Sequence, residues 1–113
     1  MLSQAISLHQ IGDIKGAVIV YERYLLNNAD PSAYHNLGVA YAQLEQWSSA
    51  RQAYEESLRL RPFSIETRNN LGTALMQLGQ LFEAEKILRS LLSDEPRNVD
   101  IAINLAGVLL EQG

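Results

Sequence analysis

The sequence has no cysteine, only three prolines and seven glycines, and no long apolar run. Without cysteine there can be neither a disulfide framework nor a zinc site built from thiolates. No segment approaches the roughly eighteen consecutive apolar residues of a membrane-spanning helix, and the first residues do not have the pattern of a secretory signal. We therefore expect a protein that is neither inserted in a membrane nor exported, with the reducing cytoplasm as its location.

Basic residues are also few, since 9 Lys and Arg stand against 13 Asp and Glu and give a net charge of -4. Proteins that bind nucleic acid gain much of their affinity by neutralising phosphates with Lys and Arg, so this balance disfavours such a partner. The 113 residues are 47% hydrophobic and 19% charged, which is typical of globular proteins. The sequence thus predicts one folded domain that does not bind nucleic acid.

Glycine and proline recur at a fixed interval along the chain. Gly38 and Gly72 are 34 residues apart, and so are Pro62 and Pro96. A constant period of this length indicates a repeat architecture. The same shift aligns three short windows: Asn36-Leu37-Gly38, Asn70-Leu71-Gly72 and Asn104-Leu105-Ala106.

Each repeat unit has the apolar pattern of two helices. Apolar residues recur at steps of three and four, pause near Glu45, and then recur again, whereas the alternation typical of strands is nowhere sustained. Asp30, Ser64 and Asn98 are predicted N-caps, and Gly79 is predicted to end a helix in the left-handed conformation. The predicted helices span 2–11, 14–27, 32–44, 48–60, 65–78, 82–93 and 99–111.

A 34-residue unit of two helices with these signature residues resembles the tetratricopeptide repeat. The second unit carries the pattern most fully, in Tyr34, Leu37, Gly38, Tyr41, Ala50, Tyr54 and Pro62. The third unit departs from it at Arg68, and the first needs an offset of one residue. The resemblance implies an all-α fold, an α-solenoid of antiparallel helix pairs wound into a right-handed superhelix. It also implies one domain over 1–113, with repeats at about 1–30, 31–64, 65–98 and a partial 99–113.

Small residues in the pattern are expected where helix backbones approach closely. Gly38 and Gly72 occupy such positions, and large side chains such as Tyr54 and Leu88 are expected to fill the space beside them. Trp47 lies at the start of a second helix, where other repeats carry Ile14 or Leu81. Because aromatic side chains dominate packing in protein interiors, we interpret the single tryptophan as a core residue rather than a ligand-binding one.

In stacked helical repeats the first helix of each unit lines a concave wall that binds extended partners. At 100° per residue, the side chains within about 60° of Val39 form one stripe, and equivalent positions extend it along the other units. This stripe contains no Lys or Arg, and its acidic residues are Glu66, Asp100 and Glu111. The candidate peptide-binding residues are His35, Asn36, Val39, Gln43, Asn69, Asn70, Thr73, Gln77 and Asn104.

Three asparagines, Asn36, Asn70 and Asn104, recur on this stripe at intervals of 34 residues. They are similar to the asparagine ladder with which the repeat domain of the O-linked N-acetylglucosamine transferase grips peptide backbones. An amide offers a donor and an acceptor that match a peptide unit. The alternative is that these amides bond between neighbouring repeats, and the sequence leaves both open.

The related domains that hold acidic chaperone tails use inward-facing lysines and arginines as a carboxylate clamp. The concave stripe of this chain lacks such residues, so we expect a preference for neutral or basic segments over acidic ones.

Residues that could carry chemistry are sparse. His9 and His35 lie on the inward stripe of different helices and, with no acidic cluster at ligand spacing, we interpret them as solvated histidines rather than metal ligands. On the second helices, Arg51, Arg59 and Arg89 are expected to pair with glutamates at four-residue spacing. No nucleophile has an evident base, and no phosphate-binding loop is present. We therefore expect no catalytic residue, no metal and no cofactor.

The sequence predicts a non-enzymatic interaction module that presents a concave groove to an extended protein segment. Two alternatives are the recruiting or regulatory part of a larger enzyme, such as a transferase, and a self-assembling scaffold. The last predicted helix, 99–111, carries apolar residues on all of its sides. Gly113 lies between the two helices of a unit. We expect this helix to be covered by a further helix of a parent polypeptide or by a second copy of the chain in a homodimer.

Overall fold

The computed structural model describes all 113 residues and contains seven α-helices and no strand. The helices are α1 (Leu2–Gln10), α2 (Ile14–Leu25), α3 (Pro31–Gln43), α4 (Trp47–Leu60), α5 (Ile65–Gln77), α6 (Leu81–Asp94) and α7 (Val99–Gln112). Each predicted helix is present, and its ends lie within about two residues of the predicted ones. None of the helices is both long and apolar enough to cross a bilayer.

Side-chain caps fix the beginning of four helices. Asp30 accepts hydrogen bonds from two backbone N–H groups of α3, and Ser64 and Asn98 each accept one from α5 and α7. These three caps are the predicted ones. Asp13 caps α2 in the same way. Each cap satisfies N–H groups that have no partner within the helix, so the starts of these helices are set by local sequence.

The turn between the two helices of each complete repeat contains a residue with positive φ. Gly12 and Gly79 adopt φ of 91° and 78°, and Glu45 adopts φ of 58° at the equivalent point of the second repeat. The left-handed conformation predicted for Gly79 is therefore present. Glu45 adopts it at a steric cost that glycine does not incur.

Consecutive helices pack on one another, and the first helices of successive repeats also meet, since α3 contacts α5 and α5 contacts α7. The odd-numbered helices therefore share one wall, which we call the concave wall. The molecule extends over 42 × 24 × 21 Å, an elongated shape that follows from stacking each repeat only on its neighbours. The predicted inward stripe lies on this wall.

Most of the buried hydrophobic side chains form two clusters. Tyr41 packs against both of them at the middle of the chain. The N-terminal cluster consists of Ala5, Ala17, Val18, Tyr21, Leu37, Ala40 and Ala53. The C-terminal cluster consists of Ala50, Tyr54, Leu71, Ala74, Leu75, Ala84, Leu88, Leu91, Ile101, Leu105 and Val108.

In the second and third repeats, the two helices pack closely at a glycine, as predicted. A Cβ atom added to Gly38 would overlap the ring of Tyr54, and one added to Gly72 would lie 2.9 Å from Cδ2 of Leu88. Tyr54 and Leu88 are themselves buried. The absence of a side chain at each glycine therefore sets the spacing between the two helices of the repeat.

The ion pairs of the second helices differ in part from the predicted ones. Arg89 pairs with Glu85 at 2.6 Å across the expected four residues, whereas Arg59 pairs with Glu56, three residues earlier, at 3.1 Å. Both spacings place side chains on the same helical face, so the rotamer decides between them. These pairs are solvent-exposed and contribute little to stability.

Candidate peptide-binding site

A cavity of about 280 Å³ opens on the concave wall between α3 and α5, and we call it the α3–α5 cavity. Its lining consists of Val39, Ala42, Gln43, Trp47, Tyr54, Asn70 and Thr73. Four of these were predicted as site residues, namely Val39, Gln43, Asn70 and Thr73. The structure thus brings together predicted residues from two repeats around one space.

Two aromatic residues of the cavity come from α4 and were not predicted to belong to the site. Trp47 packs against the C-terminal cluster, and its remaining surface lines the cavity. Tyr54 is buried in that cluster and also lines the cavity. Assigning Trp47 to the core alone was therefore incomplete. The second helix of the repeat supplies the floor between two first helices.

A second cavity of about 250 Å³, which we call the polar cavity, lies at the N-terminal ends of α3 and α5. It contains two predicted site residues, His35 and Asn36, and no hydrophobic side chain. The full lining is Pro31, Ser32, His35, Asn36, Ser57, Arg61, Ser64, Glu66 and Thr67. Arg61 was not predicted as a site residue, because it follows the end of α4 and does not lie on a first helix.

The remaining predicted site residues line neither cavity. Asn104 donates a hydrogen bond from Nδ2 to Oδ1 of Asn69 at 2.9 Å, which joins α7 to α5. Gln77 is exposed near the end of α5. The predicted stripe is therefore divided into a central part that encloses space and a C-terminal part in which two amides bond to each other.

The two histidines bond between repeats, a role that the prediction of solvated histidines did not include. His9 donates from Nε2 to Oε1 of Gln43 at 2.6 Å, across 34 residues. His35 Nδ1 lies 2.8 Å from Oγ1 of Thr67 in the next repeat, and the His35 side chain is only 15% exposed. Both contacts join successive first helices. Spacing within a single helix carried no information about them.

The hydrogen bonds around His35 form a consistent chain. The Ser64 hydroxyl donates to Oγ1 of Thr67 at 3.0 Å. Nδ1 of His35 lies 2.8 Å from this Oγ1, and its Nε2 lies 3.4 Å from a carboxylate oxygen of Glu66. His35 therefore joins α3 to α5 through these contacts.

Of the three ladder asparagines, Asn104 bonds to Asn69, and Asn36 and Asn70 lie near the hydroxyls of buried tyrosines. Burial raises the pKa of the Tyr54 hydroxyl and the charge of Glu66 raises it further, while a hydrogen bond with Asn70 partly offsets the rise. In the preceding repeat, burial raises the pKa of Tyr21 and Asn36 offsets it in the same way. The bond from Asn104 agrees with the structural alternative at that position. Asn70 additionally faces the α3–α5 cavity.

No group of three or more His, Cys, Asp or Glu side chains is arranged to hold a metal ion.

Comparison with models of protein families shows which family the chain belongs to. A tetratricopeptide repeat model matches residues 31–64, and a second tetratricopeptide repeat model matches 64–93. Together these matches cover more than half of the chain. The chain belongs to the tetratricopeptide repeat family.

Solved tetratricopeptide repeat structures are closely similar in fold. The second such domain of human RPAP3, in complex with the HSP70 peptide SGPTIEEVD, has a TM-score of 0.87 and 21% identity, covering 94% of this chain and 89% of that one. The first repeat domain of Spaghetti, bound to the HSP90 peptide SRMEEVD, has a TM-score of 0.88 and 20% identity, covering 97% and 88%.

YrrB, described as having an unusual peptide-binding site, has a TM-score of 0.86 and 22% identity, covering 99% of this chain and 58% of that one. No curated protein matches the chain at a significant level. The structural likenesses confirm the predicted all-α solenoid of helical repeats.

Proposed function

We propose that this chain is a non-enzymatic interaction module that binds an extended peptide segment along its concave wall. The α3–α5 cavity carries the proposal, because it joins apolar walls to the amides of Gln43 and Asn70 in a concave space shared by two repeats. Peptide sites combine such apolar surface with a few convergent polar groups. Two related structures described above contain peptides on the same fold, which supports this function.

The charges of the concave wall favour neutral or basic segments. The acidic residues of the stripe, Glu66, Asp100 and Glu111, are all exposed on it. Arg61 is the only cation that lines either cavity of the wall, and Glu66 lines the same cavity. The peptides in the two related structures both end in the acidic run EEVD. This wall offers no cluster of cations to such a sequence, and like charges repel across an interface.

Replacing Asn70 by alanine tests the role of the cavity amide. If Asn70 pairs with peptide backbone, Asn70→Ala weakens peptide binding by about 0.5–1.5 kcal/mol, the net contribution of one hydrogen bond, and leaves the melting temperature almost unchanged. Calorimetric titration with a peptide selected from a random library, together with thermal melts, provides both values. Asn104→Ala is the matched control, because Asn104 bonds to Asn69 outside both cavities.

The control is expected to lower stability without a comparable loss of binding. Equal losses of stability and binding in Asn70→Ala would contradict the ligand-binding role and support a purely structural one.

Self-association through α7 is a second candidate function, favoured by the exposed apolar residues of this helix. Val99 is 66% exposed, Ile103 62%, Leu109 38% and Leu110 82%. A two-fold contact would let this surface pair with itself. Light scattering is expected to show a dimer that Leu109→Lys converts to a monomer.

The matched control for this experiment is Phe82→Lys, since Phe82 is 78% exposed on α6. It is expected to leave the dimer intact. A wild-type protein that stays monomeric at high concentration would rule the dimer out. A role as the recruiting part of a larger enzyme stays a prediction, as do the repeat boundaries and the cytoplasmic location.

A further inference from the structure

The α3–α5 cavity is open because of one small residue, Ala42. The 34-residue shift that aligns the repeats places Met76 at the position of Ala42 and Gly107 at the position of Thr73. Met76 packs against the C-terminal cluster, and its sulfur lies 3.4 Å from the place that a Cβ on Gly107 would take. No cavity is present between α5 and α7. The third repeat therefore fills the equivalent space with its own side chain.

The first repeat fills the equivalent space in a different way. With the one-residue offset of this repeat, His9 takes the position of Ala42 and Tyr21 takes that of Tyr54. The His9 ring stands edge-on to the Tyr21 ring, with centroids 6.0 Å apart, and bonds to Gln43 on α3. No cavity opens between α1 and α3 either. At two of the three equivalent positions, His9 and Met76, the side chain fills the space between the first helices. At the third position, Ala42 provides only a methyl group.

The open space suits an uncharged apolar side chain. Val39, Ala42, Trp47 and Tyr54 form its apolar walls, and no acidic or basic side chain lines it. A charged group placed there would lose its hydration without gaining an ionic partner, which is costly. The volume of about 280 Å³ is large enough for one apolar side chain, and the cavity opens on the wall along which an extended segment would lie. A single side chain of an extended peptide is therefore the appropriate occupant.

We propose that the α3–α5 cavity is a specificity pocket that receives one apolar side chain, of the size of methionine or leucine, from the bound segment. The proposal rests on the peptide-binding function above and adds the feature that the segment must carry. Ala42 is the residue that determines specificity, since Met76 shows what a longer side chain does at the equivalent position. The amides of Gln43 and Asn70 at the cavity then lie beside the peptide units that flank the inserted side chain.

Single blocked amino acids test the pocket without requiring a known peptide. The probes are the N-acetyl methylamides of leucine and methionine, with those of glutamate and lysine as charged counterparts. In NMR titrations, the apolar probes are expected to shift the indole N–H of Trp47, the only tryptophan of the chain, and the side-chain amide of Asn70. Equal shifts from the charged probes, or no shifts at Trp47, would overturn the proposal.

Two substitutions exchange the residues of equivalent positions. Ala42→Met is expected to fill the pocket, abolish the shifts at Trp47 and Asn70, and keep the melting temperature, because the added atoms enter existing space. Met76→Ala is expected to open a second pocket between α5 and α7, so that the apolar probes also shift the side-chain amide of Asn104. Unchanged binding in Ala42→Met, or no second site in Met76→Ala, would contradict the assignment.

A peptide selected from a random library separates this inference from the proposed function. Ala42→Met is expected to weaken its binding by about tenfold or more, the loss that follows from excluding one buried apolar side chain. If the peptide bound both forms equally, the pocket assignment would be wrong while the module function stood. If the blocked amino acids bound at Trp47 but no peptide bound, the pocket would stand and the peptide-binding function would fail.

Discussion

Gly38→Ala is expected to destabilise the fold by about 1–3 kcal/mol, because the added Cβ would lie against the ring of Tyr54. That ring is only 2% exposed, so any shift away from the new Cβ would disturb its packing in the core. The new Cβ would stand 2.5 Å from Cδ1 of Tyr54, well inside van der Waals contact. Chemical denaturation followed by circular dichroism gives the change in unfolding free energy.

Gly107→Ala is the matched control for this substitution. A Cβ at Gly107 would meet only the sulfur of Met76, at 3.4 Å, and a flexible methionine side chain can adjust. Alanine is also favoured over glycine inside a helix by about 1 kcal/mol. We expect Gly107→Ala to be as stable as the wild type or more so. A similar loss in both variants, or none in Gly38→Ala, would contradict the assignment of Gly38 to a close helix contact.

Leu88→Ala is expected to destabilise the protein by about 2–5 kcal/mol, since Leu88 is fully buried and its truncation leaves a cavity. The two core clusters share no buried residue. In repeat proteins stability is close to a sum of local terms, so the loss should be concentrated near the substitution. Hydrogen exchange resolved by helix is expected to rise mainly in α5, α6 and α7.

Tyr21→Ala provides the mirror-image test in the N-terminal cluster, where Tyr21 is 1% exposed. Its effect on hydrogen exchange is expected mainly in α1, α2 and α3. The pair of variants therefore separates local from global stability. A uniform rise in exchange over all seven helices in both variants would show that the solenoid unfolds as one unit and would contradict the division of the core.

The helices could be predicted well because their signals are local. Asp30, Ser64 and Asn98 each cap a helix by bonding to N–H groups two or three residues ahead. The 34-residue period then fixed how often the pattern of two helices recurs. Neither kind of information depends on how one repeat lies against the next, so the sequence was sufficient for the fold class.

The site could be predicted only in part, because some of its residues meet only through packing between repeats. Helical geometry placed Val39 and Thr73 on the inward face of their own helices, and both line the cavity. Trp47 and Tyr54 reach the same cavity from α4, and that approach depends on packing between repeats. The bond from His9 to Gln43 also crosses repeats, although its separation of 34 residues equals the period and was a usable signal.

We propose that the concave wall binds an extended neutral or basic segment at the α3–α5 cavity. Selection from a random nonapeptide library, followed by NMR titration of the selected peptide, tests it most directly. We expect selected sequences that share an apolar residue and lack acidic runs, and shifts centred on Trp47, Gln43 and Asn70. Selection of acidic tails such as SRMEEVD, or shifts confined to the outer faces of α4 and α6, would contradict the claim.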